Sequence, residues 1–150
     1  MENPINYETF LPLVEKGLKK ILPSAVHDTI LVEHYNSAFI RIQWAASNYK
    51  INGVRGQYPL VASLNIYKAD GTLGSSAFGG NGGRRLYFRI LPEDNSHYAL
   101  HGVNIPFRKP RKNEKAMMKA ILKFADNWVK IVKANKDRLP HEDSVNYTWV

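Results

Sequence analysis

The 150-residue chain contains no cysteine, and this absence excludes disulfides, thiolate zinc sites, iron–sulfur clusters and a cysteine nucleophile. It also contains no apolar run that approaches the ~18–20 residues needed to span a bilayer. The first residues, MENPINYETF, are polar and acidic. They are therefore unlike a secretory signal, in which a basic region precedes an apolar one. These absences predict a cytoplasmic protein without a membrane partner.

Acidic residues are clearly outnumbered by basic ones only in the second half of the chain. The formal net charge is +8. Residues 1–70 contain seven bases and six acids, whereas residues 71–150 contain 14 bases and seven acids, so the two parts carry +1 and +7. Such an uneven basic charge indicates a polyanionic partner, either nucleic acid or an acidic protein surface. A general role in solubility is the alternative.

The chain also lacks the residue patterns of metal sites and catalytic centres. His97 and His101 are four residues apart, but a metal site needs further ligands and supporting partners, and no cluster of carboxylates accompanies them. His27-Asp28-Thr29 matches one His-x-Thr element of the two-histidine phosphoesterases. That chemistry needs a second such element, and the sequence has none. We therefore expect a non-enzymatic protein without a metal or cofactor.

Two segments have the apolar period of a helix. Residues 7–22 are apolar at three- and four-residue steps. Thr9 is a candidate cap, which would place Pro12 in the first turn, where its missing N–H is tolerated. The second helix is predicted from Glu114 to Lys136, a segment without Gly or Pro. Its two adjacent apolar stripes span about 200° at ~100° per residue, so this helix is expected to be largely buried. Its lysines share the remaining ridge: Lys115, Lys119, Lys123, Lys130 and Lys133.

Between the helices the apolar period changes to two, which predicts strands. These cover residues 38–46, 60–67 and 84–90, with shorter strands at 29–32 and 97–104. Asp70-Gly71 is a strong hairpin-turn signal. The order of helix, antiparallel strands and helix predicts one α+β domain over residues 1–150. We expect an antiparallel sheet of about 4–5 strands, with the N-terminal and the long C-terminal helix packed on one face.

The stretch FGGNGGRR, residues 78–85, is rich in glycine. It precedes a predicted strand and lacks the Gly-Lys-Ser/Thr ending of a P-loop, so no nucleotide fingerprint fits. Gly79 to Gly83 are predicted to form a mobile hairpin loop. In the alternative, the backbone N–H groups of this loop bind an anion beside Arg84 and Arg85.

Basic and aromatic residues alternate along the strand predicted after this loop. If its apolar residues face the helices, Arg85, Tyr87 and Arg89 stand on the open face of the sheet. Arginine suits phosphate contacts and tyrosine suits base stacking, although both residue types are also common on half-exposed sheets. Depending on the strand register, one of two pairs would join them: Arg41 with Gln43, or Asn65 with Tyr67.

The stretch FRKPRKNEKAMMKAILK is the most basic part of the chain. Asn113 is the expected cap of the helix that begins here. Cations near a helix N-terminus oppose the helix dipole, at roughly 0.3–1 kcal/mol each. A phosphate would compensate, because free N–H groups, dipole and bases would converge on it. The predicted contact residues are Arg108, Lys109, Arg111, Lys112, Lys115, Lys119 and Lys123.

A helix, antiparallel strands and then a helix that opens with basic residues resembles the double-stranded-RNA-binding domain. The resemblance implies that Lys112, Lys115 and Lys119 hold phosphates. The chain departs from that family in its greater length and in the long segment between Leu91 and the last helix, and we do not assign it to the family. The leading hypothesis is a non-enzymatic nucleic-acid-binding protein, for DNA or RNA. The alternative is a small protein-interaction module, such as an inhibitor or adaptor from a phage or other mobile element.

Overall fold

The computed structural model describes residues 5–46, 57–81, 84–85, 105–106 and 110–134. Over these residues the chain has the predicted α+β class, with helices and an antiparallel sheet. The helices are α1 (Tyr7–Ile21), a 3-10 helix (Ser24–Thr29) and α2 (Glu114–Ala134). The strands are β1 (Leu31–His34), β2 (Phe39–Ala45), β3 (Gln57–Tyr67), β4 (Leu73–Asn81), β5 (Arg84–Arg85) and β6 (Ile105–Pro106).

The strands follow one another across the sheet in the order β1-β2-β3-β4-β5, and β6 also pairs with β4. All of these pairings are antiparallel. Burial alternates along β2, where Ile40, Ile42 and Trp44 are fully buried and the residues between them are half-buried. Trp44 meets the rings of Phe124 and Trp128 edge-on, at centroid distances of 5.4 and 5.9 Å. The apolar side of β2 therefore shares one core with α2.

The N-cap of helix α1 lies about one turn before the predicted cap, Thr9. Asn6 is the N-cap, because its side chain accepts hydrogen bonds from the backbone N–H groups of Glu8 and Thr9. Thr9 lies in the first turn, and its hydroxyl donates to the Asn6 carbonyl oxygen. The prediction that Thr9 caps the helix was wrong, since a preceding asparagine in extended conformation reaches the same N–H groups. Pro12 consequently lies inside the helix rather than in its first turn.

Helix α2 begins at Glu114 after the predicted cap, since the side-chain oxygen of Asn113 accepts from the N–H of Ala116 at 2.8 Å. Over its described side chains, one of the two apolar stripes is buried, and the stripe beside it is buried or half-buried. Buried members include Met117, Ile121, Phe124, Ala125, Trp128 and Val132. The five lysines of the predicted ridge are all exposed.

Strand β4 was not predicted. Its sequence, LGSSAFGGN, is rich in glycine and other small residues, which have a low preference for strands. Pairing with the apolar strand β3 overrides this weak preference, for example between Leu64 and Ser75. Gly79, Gly80 and Asn81 are thus part of a strand, which corrects the prediction of a loop from Gly79 onward. The short strand expected at residues 29–32 lies at Leu31–His34 instead. The strand expected from Leu86 to Ile90 and that at 97–104 lie outside the described residues.

Over the described ranges, none of the helices combines the length and the apolar character that a transmembrane crossing requires.

Candidate nucleic-acid interface

The turn between β3 and β4 forms where Asp70-Gly71 predicts a hairpin. The N–H of Tyr67 donates to the Thr72 carbonyl oxygen at 2.9 Å, and the N–H of Gly71 donates to the Tyr67 carbonyl oxygen at 2.9 Å. The Asp70 carboxylate accepts the N–H of Thr72 at 2.9 Å. Gly71 has a φ of 70°, in the left-handed region that favours glycine. In this four-residue loop, Asp70 supplies the side-chain acceptor and Gly71 supplies the positive φ.

This turn is joined to the segment that precedes α2. The N–H of Arg111 donates to the Gly71 carbonyl oxygen at 3.0 Å. A Cβ at position 71 would lie 1.8 Å from the carbonyl oxygen of Arg111, so this close approach also requires glycine. The hairpin turn and the basic stretch are thus in direct backbone contact, although about 40 residues separate them in the sequence.

A cleft with a volume of about 530 Å³ opens at this junction. It is within the size range of small-ligand sites. Three bases line it, Lys68, Arg111 and Lys112, and one acid, Asp70. We call this site the cationic cleft. Its remaining described lining residues are Ile5, Tyr7, Ala69, Gly71 and Pro110.

The charged groups of the cationic cleft differ in their exposure. Arg111 is only 8% exposed, whereas Lys112 is exposed. The side-chain hydrogen bond from Thr72, followed by the one from the Thr72 backbone, lowers the pKa of Asp70. Burial, followed by the charge of Asp70, raises the pKa of the Tyr7 phenol. At neutral pH Tyr7 is therefore a neutral phenol and Asp70 a carboxylate.

The predicted contact residues on α2 extend outward from this cleft. Lys112 is exposed just before the helix, and Lys115, Lys119 and Lys123 are exposed on one side of it. We call Lys115, Lys119 and Lys123 the lysine ridge. Of the other candidates, Arg84 and Arg85 form β5, which pairs with Gly80 and Asn81 of β4. Four candidates lie outside the described residues: Tyr87, Arg89, Arg108 and Lys109.

The face of the sheet opposite the core carries polar and aromatic side chains. Arg41 is the register partner of Asn65, and Phe39 is that of Tyr67. The side chain of Gln43 donates to the hydroxyl of Ser63 at 3.3 Å. Both predicted pairs, Arg41 with Gln43 and Asn65 with Tyr67, consequently lie on one face. The two pairs therefore lie on this face together, whereas the sequence presented them as alternatives.

Sequence reasoning missed Tyr7 and Lys68 as lining residues of the cleft. The only local signal was the Asp70-Gly71 turn, which indicates a hairpin but not what packs beside it. The His-x-Thr element has a structural role in the described chain. His27 Nε2 is 2.8 Å from the Leu22 carbonyl oxygen, and the hydroxyl of Thr29 donates to the Val26 carbonyl oxygen and accepts from the N–H of Ala45.

Within the described residues, no three His, Asp or Glu side chains come together in an arrangement that could hold a metal ion. His97 and His101, the pair with a suggestive spacing, lie outside those residues.

No protein-family model, curated protein or solved structure matches this chain. The resemblance to the double-stranded-RNA-binding domain therefore stays a prediction from element order and basic residues.

Proposed function

We propose that this protein is a non-enzymatic nucleic-acid-binding protein that contacts the phosphate backbone through the start of α2. The observation that carries the proposal is the cationic cleft. Lys68 from the β3–β4 turn joins Arg111 and Lys112 at the point where α2 begins. Bases, helix N–H groups and the positive end of the helix dipole together favour a phosphate at this place.

The lysine ridge supports an extended contact rather than a single bound anion. Lys115 and Lys123 are eight residues apart, which corresponds to roughly 12 Å along the helix at 1.5 Å per residue. This length matches several phosphates of one strand, which rise about 3.4 Å each along a duplex axis. A compact anion would use only the cleft, whereas a polymer would also use the ridge.

The finer architecture is part of the proposal, namely an antiparallel sheet of about 4–5 strands with both helices on one face. Alternating burial along β2 and the contacts of Trp44 with α2 support it. So does the proximity of the helices, since a Cβ on Gly17 of α1 would lie 3.2 Å from a methyl group of Leu122. With the helices on one face, the opposite face is accessible to a partner.

Fluorescence anisotropy over a salt series tests the proposed function. The variant Lys112→Gln/Lys115→Gln/Lys119→Gln removes three exposed charges and keeps side-chain length. If each lysine contacts a phosphate, the slope of log K against log[salt] falls in magnitude by about 2.7 on duplex and about 2.1 on single strands. Arg111 is left unchanged because it is buried, and its loss would confuse binding with folding.

The matched control is Lys16→Gln/Lys19→Gln/Lys20→Gln, which removes three exposed charges from α1. We expect the control to bind more tightly than the α2 variant at every salt concentration. Equal losses would mean that only the net charge matters, which would remove the assigned site. No binding of the wild-type protein at ~50 mM salt would overturn the function itself.

The second candidate function is the interaction module, an inhibitor or adaptor with an acidic protein surface as its partner. Its candidate contacts are the exposed apolar side chains of Leu13 on α1 and Leu31 on β1, two elements that lie against each other. Failure of the wild-type protein to bind any nucleic acid would favour this function.

A further inference from the structure

We propose that the nucleic acid is single-stranded, and that its bases stack on aromatic side chains at the end of the sheet beside the cationic cleft. This inference rests on the proposed function and specifies the form of the partner. It assigns a role to Tyr35, Phe39 and Tyr67, which we call the aromatic row.

The aromatic row crosses three neighbouring strands. Tyr35 follows β1, and its N–H donates to the Phe39 carbonyl oxygen at 3.0 Å. Phe39 is the register partner of Tyr67, and their rings lie 4.2 Å apart at 59°. Neighbouring strands are about 4.7–4.9 Å apart, so the row extends over roughly 10 Å. The rings at its two ends belong to Tyr35 and Tyr67.

The two end rings of the aromatic row are accessible to a partner. Tyr35 is 51% exposed and Tyr67 is 37% exposed, whereas Phe39 between them is half-buried. The guanidinium carbon of Arg41 lies 3.6 Å from the centroid of the Tyr35 ring. This cation–π contact holds the ring in place. A preordered, exposed ring loses little side-chain entropy when a base stacks on it.

The next row of the same face suits a neutral base better than a phosphate. Arg41 is the register partner of Asn65 on one side and of Glu33 on the other. The negative charge of Glu33 disfavours a phosphate here.

The aromatic row and the cationic cleft meet at one end of the sheet. Lys68 directly follows Tyr67, lines the cleft, and donates its N–H to the Ala38 carbonyl oxygen at 2.9 Å. A strand with its phosphates at the cleft can therefore place its bases on the row. In a duplex the base faces are stacked inside the helix, whereas a single strand can present them to aromatic side chains.

The test compares a single-stranded oligonucleotide of about 12 nucleotides with the same sequence as a duplex, by fluorescence anisotropy. We expect tighter binding of the single strand. In Tyr35→Ala/Tyr67→Ala the single strand should bind roughly 5- to 150-fold more weakly for each stacked base, with a smaller loss on duplex. The control Tyr35→Phe/Tyr67→Phe keeps both rings and should bind like the wild type. Urea denaturation of each variant verifies that it is folded.

Two results would overturn this inference. One is equal or tighter binding of the duplex by the wild-type protein. The other is unchanged single-strand binding by Tyr35→Ala/Tyr67→Ala. In either case a loss of binding in Lys112→Gln/Lys115→Gln/Lys119→Gln would leave the proposed function standing. The failure of the inference is therefore distinguishable from the failure of the proposed function, in which the wild-type protein binds neither form.

Discussion

The backbone N–H of Arg111 donates to the carbonyl oxygen of Gly71 at 3.0 Å. This bond joins the β3–β4 turn to the segment that leads into α2, and the cationic cleft lies at the junction. The approach is close enough that a single methyl group on Gly71 would collide with the Arg111 carbonyl. The shape of the proposed phosphate site thus depends on a residue that carries no charge.

We expect Gly71→Ala to lower the free energy of unfolding by roughly 2 kcal/mol or more. A left-handed conformation costs an L-residue about 1–2 kcal/mol, and displacement of Arg111 adds to this. Urea denaturation measures the loss, and nucleic-acid affinity should fall with it because the cleft opens.

Gly17→Ala is the control for this substitution. Its Cβ would meet only side-chain atoms, a methyl group of Leu122 at 3.2 Å and the sulfur of Met118 at 3.5 Å, and alanine is favoured over glycine inside a helix by up to about 1 kcal/mol. The stability of Gly17→Ala should stay within about 1 kcal/mol of the wild type. A Gly71→Ala protein as stable as Gly17→Ala would contradict the contact with Arg111.

Thr29 belongs to a His-x-Thr element, which suggests a catalytic role, but its hydrogen bonds predict a role in stability. We expect Thr29→Val to cost about 1–3 kcal/mol, because it leaves the N–H of Ala45 without its hydroxyl acceptor. Thr29→Ser keeps both hydrogen bonds and loses one methyl group, so its cost should stay below about 0.8 kcal/mol. Urea denaturation compares the two variants, and equal costs would mean that the methyl group rather than the hydroxyl matters.

Local patterns predicted the elements that depend on local chemistry. The uninterrupted apolar stripes of α2, its cap at Asn113 and the Asp70-Gly71 turn are all encoded within a few residues of where they act. Strand β4 is different, because its small residues have little intrinsic preference and its structure comes from pairing with β3. Sequence periodicity cannot detect a strand of that kind.

The candidate site was only partly predictable for a related reason. Arg111 and Lys112 belong to a basic stretch that stands out in the sequence, but Tyr7 and Lys68 reach the same cleft from distant elements. The pairing of Arg41 with Asn65 depends on strand register, which a period of two leaves undetermined, since a shift by two residues preserves both faces.

Asp70 should make stability depend on pH. Its pKa is lowered in the folded protein by hydrogen bonds from Thr72. The folded state therefore binds this proton less tightly than the unfolded state, whose aspartate pKa is about 3.9. The resulting stability is fully present above that value and is lost as the pH falls through the folded pKa. We expect the wild type to exceed Asp70→Asn in stability at neutral pH, with a difference that shrinks in acid.

Urea midpoints of both proteins, measured from neutral pH down to about pH 3, verify this difference. The Thr72→Val background serves as the control, because it removes the hydroxyl that contributes most to the lowered pKa of Asp70. In that background the Asp70→Asn substitution should have a weaker pH dependence. An identical pH dependence in both backgrounds would count against the hydrogen bond as the cause.

Asn113 allows stability and binding to be changed in opposite directions. Asn113→Ala should cost about 1 kcal/mol, because it removes the acceptor for the N–H of Ala116. Asn113→Asp keeps an acceptor and adds a negative charge at the helix N-terminus, which stabilises a helix by about 0.3–1 kcal/mol. The same charge would stand beside Lys112 and repel a phosphate, so this variant should be at least as stable as the wild type yet bind nucleic acid more weakly.

Urea denaturation and anisotropy on one set of samples make this last comparison, with Asn113→Ala as the reference for a lost cap. A stable Asn113→Asp protein with unchanged affinity would mean that the phosphate lies away from the start of α2. A variant as unstable as Asn113→Ala would mean that the carboxylate does not replace the amide as a cap. If stability holds while affinity falls, the helix start is a place where the chain accepts unfavourable charge because an anionic partner compensates for it.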